Sequence, residues 1–245
     1  MPEHELWVTA LFNKYLAGVA NGILGLVGEH AHDPAHPWTN FMAMQILVAL
    51  IIIVVFAILR PRLSMDRPGK MQHIFEVIYE FLNGQSEEVV GHHGHHYLGF
   101  FGTLFIFILF ANLIGVIPTF ESPTMFPSVP AGLALATFLY YNYVGIRANG
   151  IGKYLAHLAG PMPLLAPLMI PIEIISHLAR PLSLTIRLYA NMFAGEQVTM
   201  AFLGLTFLFG FPFMGLHIFV SFLQAFVFTL LTMIYVAGAV AHDEH

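Results

Sequence analysis

Four ionisable side chains, Glu173, Arg187, Glu196 and His217, sit in stretches whose neighbours belong in hydrocarbon. Arg187 is the most demanding of them. It lies within Pro181–Glu196, PLSLTIRLYANMFAGE, with long apolar runs on both sides. A guanidinium cannot shed its proton in a protein, so it cannot escape burial by neutralising. An Arg at mid-membrane costs roughly 2.5–3.5 kcal/mol on insertion scales. A chain that keeps such a residue uses it there or satisfies it through a partner. Carboxylates and imidazoles strung along the same segments are the material of a proton relay.

Helical spacing sorts these groups. Residues three, four or seven apart share a face, which gathers Arg180, Ser183, Arg187, Asn191 and Ala194 into a narrow sector. Glu173 is near that sector, His177 is about 80° away, and Glu196 is roughly opposite. On the following helix His217, Ser221, Gln224, Thr232 and Tyr235 share one face, with Phe228 interrupting. Two neighbouring helices are thus expected to present facing polar stripes. Interhelical hydrogen bonding is the bland alternative for Ser221, Thr229 and Thr232 taken singly, and a functional stripe is the favoured reading. At 1.5 Å per residue, Glu196 lies ~13 Å beyond Arg187 and Glu173 ~21 Å before it. Glu196 and His217 flank an outer turn and can face each other, while Glu173 and His177 lie toward the cytoplasmic end. Two carboxylates on opposite sides of a fixed cation suit two ion paths divided by a plug.

The elements that must hold these groups are membrane helices. Of the 245 residues, 58% are hydrophobic and 9% charged, far below the ~25% charge of soluble domains. Net charge is −5 and scattered, which leaves no nucleic-acid footprint. The absence of cysteine removes disulfides, thiol catalysis and Cys-ligated metals together. Glu3 and Glu5 occupy the place where a signal peptide carries positive charge, so no cleavable signal is expected. Residues 1–40 read as an outer segment with an interfacial helix over 6–27. A span needs about 20 apolar residues, and 41–60, 97–118 and 129–146 qualify. Between the first two, 66–91 alternates charged and apolar residues as an amphipathic helix on the cytoplasmic surface. A short polar segment with Arg147 and Lys153 follows the third span. The stretches 162–208 and 213–241 are longer than one perpendicular crossing and must tilt or project. They read as a helical hairpin turned near Phe209–Pro212.

The expected fold is therefore an all-α integral membrane protein forming a single membrane domain. It has five membrane-crossing helices, a surface amphipathic helix and a long, steeply tilted C-terminal hairpin. Arg60, Arg62, Arg67 and Lys70 follow the first span and Arg147 and Lys153 the third, which makes those loops cytoplasmic. The N-terminus is then outside and the tail inside.

The run PLSLTIRLYANMFAGE, followed by HIFVSFLQAFVFTLLTMIY at His217–Tyr235, resembles the subunit a family of F-type ATP synthases, and the resemblance covers most of the chain. It implies a non-catalytic stator subunit of the membrane sector, in a bacterial inner membrane, coupling proton transport to ATP synthesis. Implied partners are a rotating ring of c subunits, the peripheral-stalk b subunits and the rest of the complex. Arg187 matches the family's essential arginine, which faces the ring carboxylate. Glu196, His217, Gln224 and Asn191 match positions of the outer half-channel, and Ser183 and Glu173, with His177 beside them, the inner one. Neither cofactor nor metal is implied.

Other signals are weaker. His92, His93, His95 and His96 offer imidazoles, but in a Gly-flanked loop without a spaced carboxylate they read as solvated. No H-E-x-x-H or phosphate-binding loop occurs, so zinc proteolysis and nucleotide chemistry are disfavoured. Arg180 is a second cation, seven residues from Glu173, and an ion pair between them is expected. Two rival classes remain: a membrane cytochrome ligated by His157, His177 or His217, and a stand-alone transporter. The second often carries internal repeats, and no convincing duplication is present.

Overall fold

The computed structural model describes residues 5–27, 34–64, 68–91, 94–117, 119–158, 166–205 and 207–240. Among them run seven α-helices: α1 Trp7–Val27, α2 Asn40–Leu59, α3 Lys70–Val90, α4 Leu98–Ile114, α5 Ser128–Leu158, α6 Ala166–Leu205 and α7 Phe207–Val240. Short 3-10 turns lie at Arg60–Arg62, Gly94–Tyr97 and Pro123–Met125. Helices suit an apolar medium because they satisfy every backbone group within one segment. Among the described residues, four stretches are long and apolar enough to cross a membrane: Asn40–Arg62, Gly94–Ile114, Ser128–Gly152 and Pro212–Val240. Glu173, Arg180, Arg187 and Glu196 interrupt α6, which is not among the four.

α6 and α7 run antiparallel, with the Phe202 and Phe213 rings stacked at 3.9 Å and Asn191 bonded to Gln224 further along. α6 turns Leu184, Leu188, Met192 and Glu196 inward, one every four residues. The three apolar ones meet a core built from Phe101, Phe105 and Ile108 of α4, Tyr141 of α5, and Ala225, Phe228, Met233 and Val236 of α7. Lipid is as apolar as these side chains, so close van der Waals fit rather than water exclusion drives the packing. α3 is amphipathic: Leu82 is buried, and its Phe81 ring lies 5.2 Å from Phe226 of α7.

α1 is tied to the chain before α2. Asn13 donates to the Glu5 carboxylate at 2.7 Å and to the Trp38 carbonyl at 3.2 Å, and accepts from the Trp38 backbone N–H at 2.9 Å. Trp7 packs edge-on against Phe120, 5.7 Å away, in the loop after α4. That end of the bundle is the loop end; the opposite one, with Arg60, Arg62 and Lys70, is the basic end.

Two boundaries differ from expectation. The third expected span, 129–146, lies in a helix that continues through Arg147 and Asn149 and breaks only at Gly150, whose φ of +76° is a left-handed conformation suited to glycine. Beyond it the chain folds back, so that Tyr154 Oη donates to Asn142 Oδ1 at 2.8 Å. Gly and polar residues suggested a loop, but helix propensity and this return contact prevail. Residues 209–212, expected to turn, are helical inside α7, with Pro212 in its early turns. Proline removes one backbone donor, and near a helix start few carbonyls are left wanting it. Arg67, His92, His93, Pro118, residues 162–165, Thr206 and the tail 241–245 fall outside the described residues, as does the His157 side chain.

Candidate functional site

The polar residues of α6 and α7 divide into two groups with an apolar layer between them. At the loop end, Asn191 Nδ2 donates to Gln224 Oε1 at 2.7 Å across the α6–α7 seam. One turn on, the His217 ring packs on Gly195, where an added Cβ would come within 3.2 Å of Nδ1. Glu196 and His217 are each only 6% exposed. The neighbouring loop completes the surround. The Ser122 backbone N–H faces the Glu196 carboxyl, and Glu121 is near enough for their charges to interact. Asn112 of α4 donates to the Ser221 carbonyl at 3.3 Å and accepts from Thr124 Oγ1 at 2.6 Å. Ser122 Oγ donates to the Ala111 carbonyl at 2.9 Å. Gly115 lets this loop return so closely, since a Cβ there would stand 2.8 Å from Ser122 Cβ.

Four buried polar atoms in this region have no hydrogen-bond partner: Glu196 Oε2, His217 Nε2, Ser221 Oγ and Gln224 Nε2. A buried donor or acceptor left unmade costs ~1–3 kcal/mol. A run of such atoms along one seam is the lining that water or a travelling proton would satisfy.

At the basic end the pairs are made. Tyr141 Oη and His177 Nδ1 share a hydrogen bond of 3.0 Å, and His177 Nε2 stands 3.5 Å from Glu173 Oε1. Arg180 Nη2 reaches the same oxygen at 3.9 Å, the spacing-of-seven pair expected above. The Arg180 guanidinium also lies over the rings of Tyr141 and Tyr235, 5.7 and 5.3 Å from their centroids. Such cation–π contacts contribute ~0.5–1 kcal/mol at exposed sites and more when dry. Glu173, His177 and Arg180 are partly exposed.

Between the ends, Phe228 is fully buried, as are Leu184 and Leu188 nearby in the core. Arg187 lies at this level on α6, half-buried, and forms no hydrogen bond or ion pair with any described residue. Ser183 and Asn191, one turn to either side of it, are exposed with Ala190 and Ala194. The two polar stripes therefore do not face each other along their length, as spacing alone suggested. The α7 stripe is buried, whereas the Arg187 face of α6 is open. Rotation of α6 by its Leu184–Leu188–Met192 ridge decides this, and the same rotation buries Glu196. Thr229 and Thr232 donate to carbonyls of their own helix, Ala225 and Phe228, each at 2.9 Å, rather than across a seam.

Sequence reading overlooked Asn112, Glu121, Ser122, Thr124 and Tyr141. Asn112 carried a signal, an amide inside an apolar span; loop residues such as Thr124 carried none. Of the histidine cluster, His95 and His96 form part of a 3-10 turn with their rings 4.0 Å apart.

The family model described as ATP synthase A chain matches residues 42–237. A protein of Solibacter usitatus (strain Ellin6076) named ATP synthase subunit a is 70% identical over 235 residues, covering 96% of this chain and 100% of the relative. A protein of the same name from Koribacter versatilis (strain Ellin345) is 49% identical over 98% of this chain and 99% of its own length. A third, from Sulfurihydrogenibium sp. (strain YO3AOP1), is 40% identical over 82% and 97%.

Proposed function

Because the chain belongs to the ATP synthase A chain family, and so is a proton-translocating, non-catalytic subunit of that complex's membrane sector, we propose that its two polar groups are half-channels serving a ring of c subunits, with Arg187 between them. The observation that carries this reading is the unpaired Arg187 on an open face of α6, level with an apolar layer that parts two polar regions. A permanent cation in such a place calls for an anion from outside the chain, and a carboxylate on a passing ring helix supplies one.

The chemistry follows. A proton enters at the loop end, where Glu196, His217 and Gln224 with their unmade hydrogen bonds, and Asn191 bonded to Gln224, pass it toward the ring, and protonates a ring carboxylate. The neutral carboxyl can then turn into the lipid. On its return a carboxyl reaches the basic end, where Ser183, Glu173 and His177 accept the proton. The emptied carboxylate next meets Arg187. An opposite charge within ~4–6 Å lowers a carboxyl pKa, so Arg187 holds that carboxylate ionised and leaves no proton to leak straight across. Each proton contributes ~2.3 kcal/mol per 100 mV, available as torque.

In this reading α6 is a fifth crossing. Its 40 residues extend ~60 Å, twice the ~30 Å hydrocarbon core, so it crosses steeply tilted, paired with α7 as a hairpin. The basic end faces the cytoplasm of a bacterial cell, and the N-terminus and the loop end face outward, because Arg60, Arg62, Lys70 and Arg147 share one side. Peripheral-stalk b subunits hold this subunit against the turning ring. Arg187→Ala in inverted membrane vesicles tests the proposal: ATP-driven proton pumping, followed with a quenched acridine dye, falls to background while the catalytic headpiece keeps hydrolysing ATP. Normal pumping would sink it.

A further inference from the structure

A second unexplained arrangement lies at the basic end, away from both polar routes. α2, α3 and α4 enclose a groove of about 550 Å³ lined by Phe56, Leu59, Phe75, Leu82, Leu98 and Ile106. Gly99 and Gly102 of α4 also line it, and a Cβ built on either would meet no atom within 4 Å. Neither glycine has a positive φ. Glycine within a helix costs ~1 kcal/mol against alanine, and nothing in this chain's own packing or backbone asks for it here. The two positions keep a furrow open for something else.

Next to the groove, and sharing Leu59 and Gln72 with it, is a smaller pocket of about 240 Å³ that contains Arg62 and Lys70. Gln72 fixes the seam between them. Its Oε1 accepts from Ser64 N–H at 3.0 Å, and its Nε2 donates to Ser64 O at 3.0 Å and to Glu76 Oε1 at 2.8 Å. That last bond turns the acid lining the groove toward Gln72. Arg62 and Lys70 form no hydrogen bond or ion pair with any described residue. An apolar furrow leading to two unpaired cations, where a membrane span meets a surface helix, has the charge and polarity pattern of one kind of molecule. A neighbouring protein helix would fill the furrow but leave the cations without an anion.

We propose that this groove binds one anionic phospholipid, its acyl chain along the Gly99–Gly102 face of α4 and its phosphate between Arg62 and Lys70. The lipid wedges α3 against α2 and α4. This site is independent of the proton route.

The test uses the intact ATP synthase complex, stripped of lipid in detergent and given phosphatidylglycerol with a photoactivatable group midway along one acyl chain. A phosphatidylcholine carrying the same group serves as the control. After irradiation the labelled peptides are located by mass spectrometry. Label is expected on 98–106 and 75–82, with the anionic phosphatidylglycerol favoured over phosphatidylcholine. Arg62→Gln with Lys70→Gln should weaken labelling by the anionic probe about thirtyfold, from the contribution of two cations at a lipid headgroup. Gly102→Leu should reduce labelling by both probes. Equal labelling by the two lipids, or labelling indifferent to the charge variant, would mean ordinary surrounding lipid and overturn the proposal. So would a groove that takes label only after another subunit's helix is removed. Should Gly102→Leu disturb helix packing, the charge variant, which alters no packed side chain, decides alone.

Discussion

The two ends of the α6–α7 pair use the same residue types in opposite ways. At the loop end a carboxylate, an imidazole and an amide are buried and incompletely bonded: Glu196, His217 and Gln224 each hold a polar atom with no partner. At the basic end a carboxylate, an imidazole and a guanidinium are partly exposed and mutually engaged, with Glu173 in reach of both His177 and Arg180. Burial raises the cost of an unmade bond, so the incompletely bonded end is the one that demands an outside occupant. Where solvent already reaches, pairing is cheap and contributes little. The comparison separates a dry, incompletely bonded seam from a wetter one whose polar groups are paired.

The largest effect that would break this contrast concerns the buried end. His217→Leu or Gln224→Leu should cut ATP-driven proton pumping about a hundredfold, the lower range of what a lost proton-transfer group costs. Tyr141→Phe, which removes the hydroxyl bonded to His177, should cost no more than about tenfold, as expected for one lost hydrogen bond. Initial rates in inverted vesicles decide it, and the opposite ranking would refute the division of labour.

A smaller effect sharpens the basic end. Arg180→Gln and Glu173→Gln, alone and together, form a double-mutant cycle on pumping rate. Partly exposed pairs couple by ~0.2–1 kcal/mol, so the double variant should depart from additivity by at most about fivefold. Strict additivity would mean that the 3.9 Å approach is without consequence.

The smallest effect lies at the N-terminus. The Asn13 hydrogen bond holds the Glu5 carboxyl below its ordinary value; burial opposes it, and the hydrogen bond and charge of His36 add smaller lowering effects. A carboxyl depressed in the folded state contributes stability that is present above its unfolded pKa and lost as pH falls through the folded one. Hydrogen-exchange protection of the α1 amides, corrected for intrinsic rates, should therefore hold at neutral pH and decline only below the ordinary carboxyl range. Glu5→Gln should flatten that acid decline. Protection that already fell between pH 7 and 6 would overturn the assignment to Glu5.

Much of the helical inventory could be read in the chain because its cause is local. Phe41–Leu59 is apolar on every side, and 70–90 alternates with helical period, so span and surface helix separate without tertiary information. The candidate site was half legible for the same reason. Arg187 and Glu196 stand out as charges in hydrocarbon, and Asn191 and Gln224 stand out as amides at helical spacing. What failed was local punctuation overruled by context. Gly and Lys after Arg147 suggested a loop, but Tyr154 reaching back to Asn142 holds a helix there. Pro212 suggested a turn, and α7 absorbs it near its start.

The sequence by itself determined that this is a helical membrane protein with ionisable groups inside its apolar segments. Hydrophobic length and charge are properties of each stretch alone, and a bilayer obliges each stretch to satisfy its own backbone. Only the tertiary structure decided which polar groups meet and which are left wanting. Asn112 finds Ser221 across 109 residues, Asn191 finds Gln224, and Arg187 finds no hydrogen-bond or ion-pair partner among the described residues. Those outcomes depend on how far each helix is rotated and slid against its neighbours, which the whole packed interface sets. A ridge of Leu184, Leu188 and Met192 buried on α6 fixes the direction in which Arg187 can point.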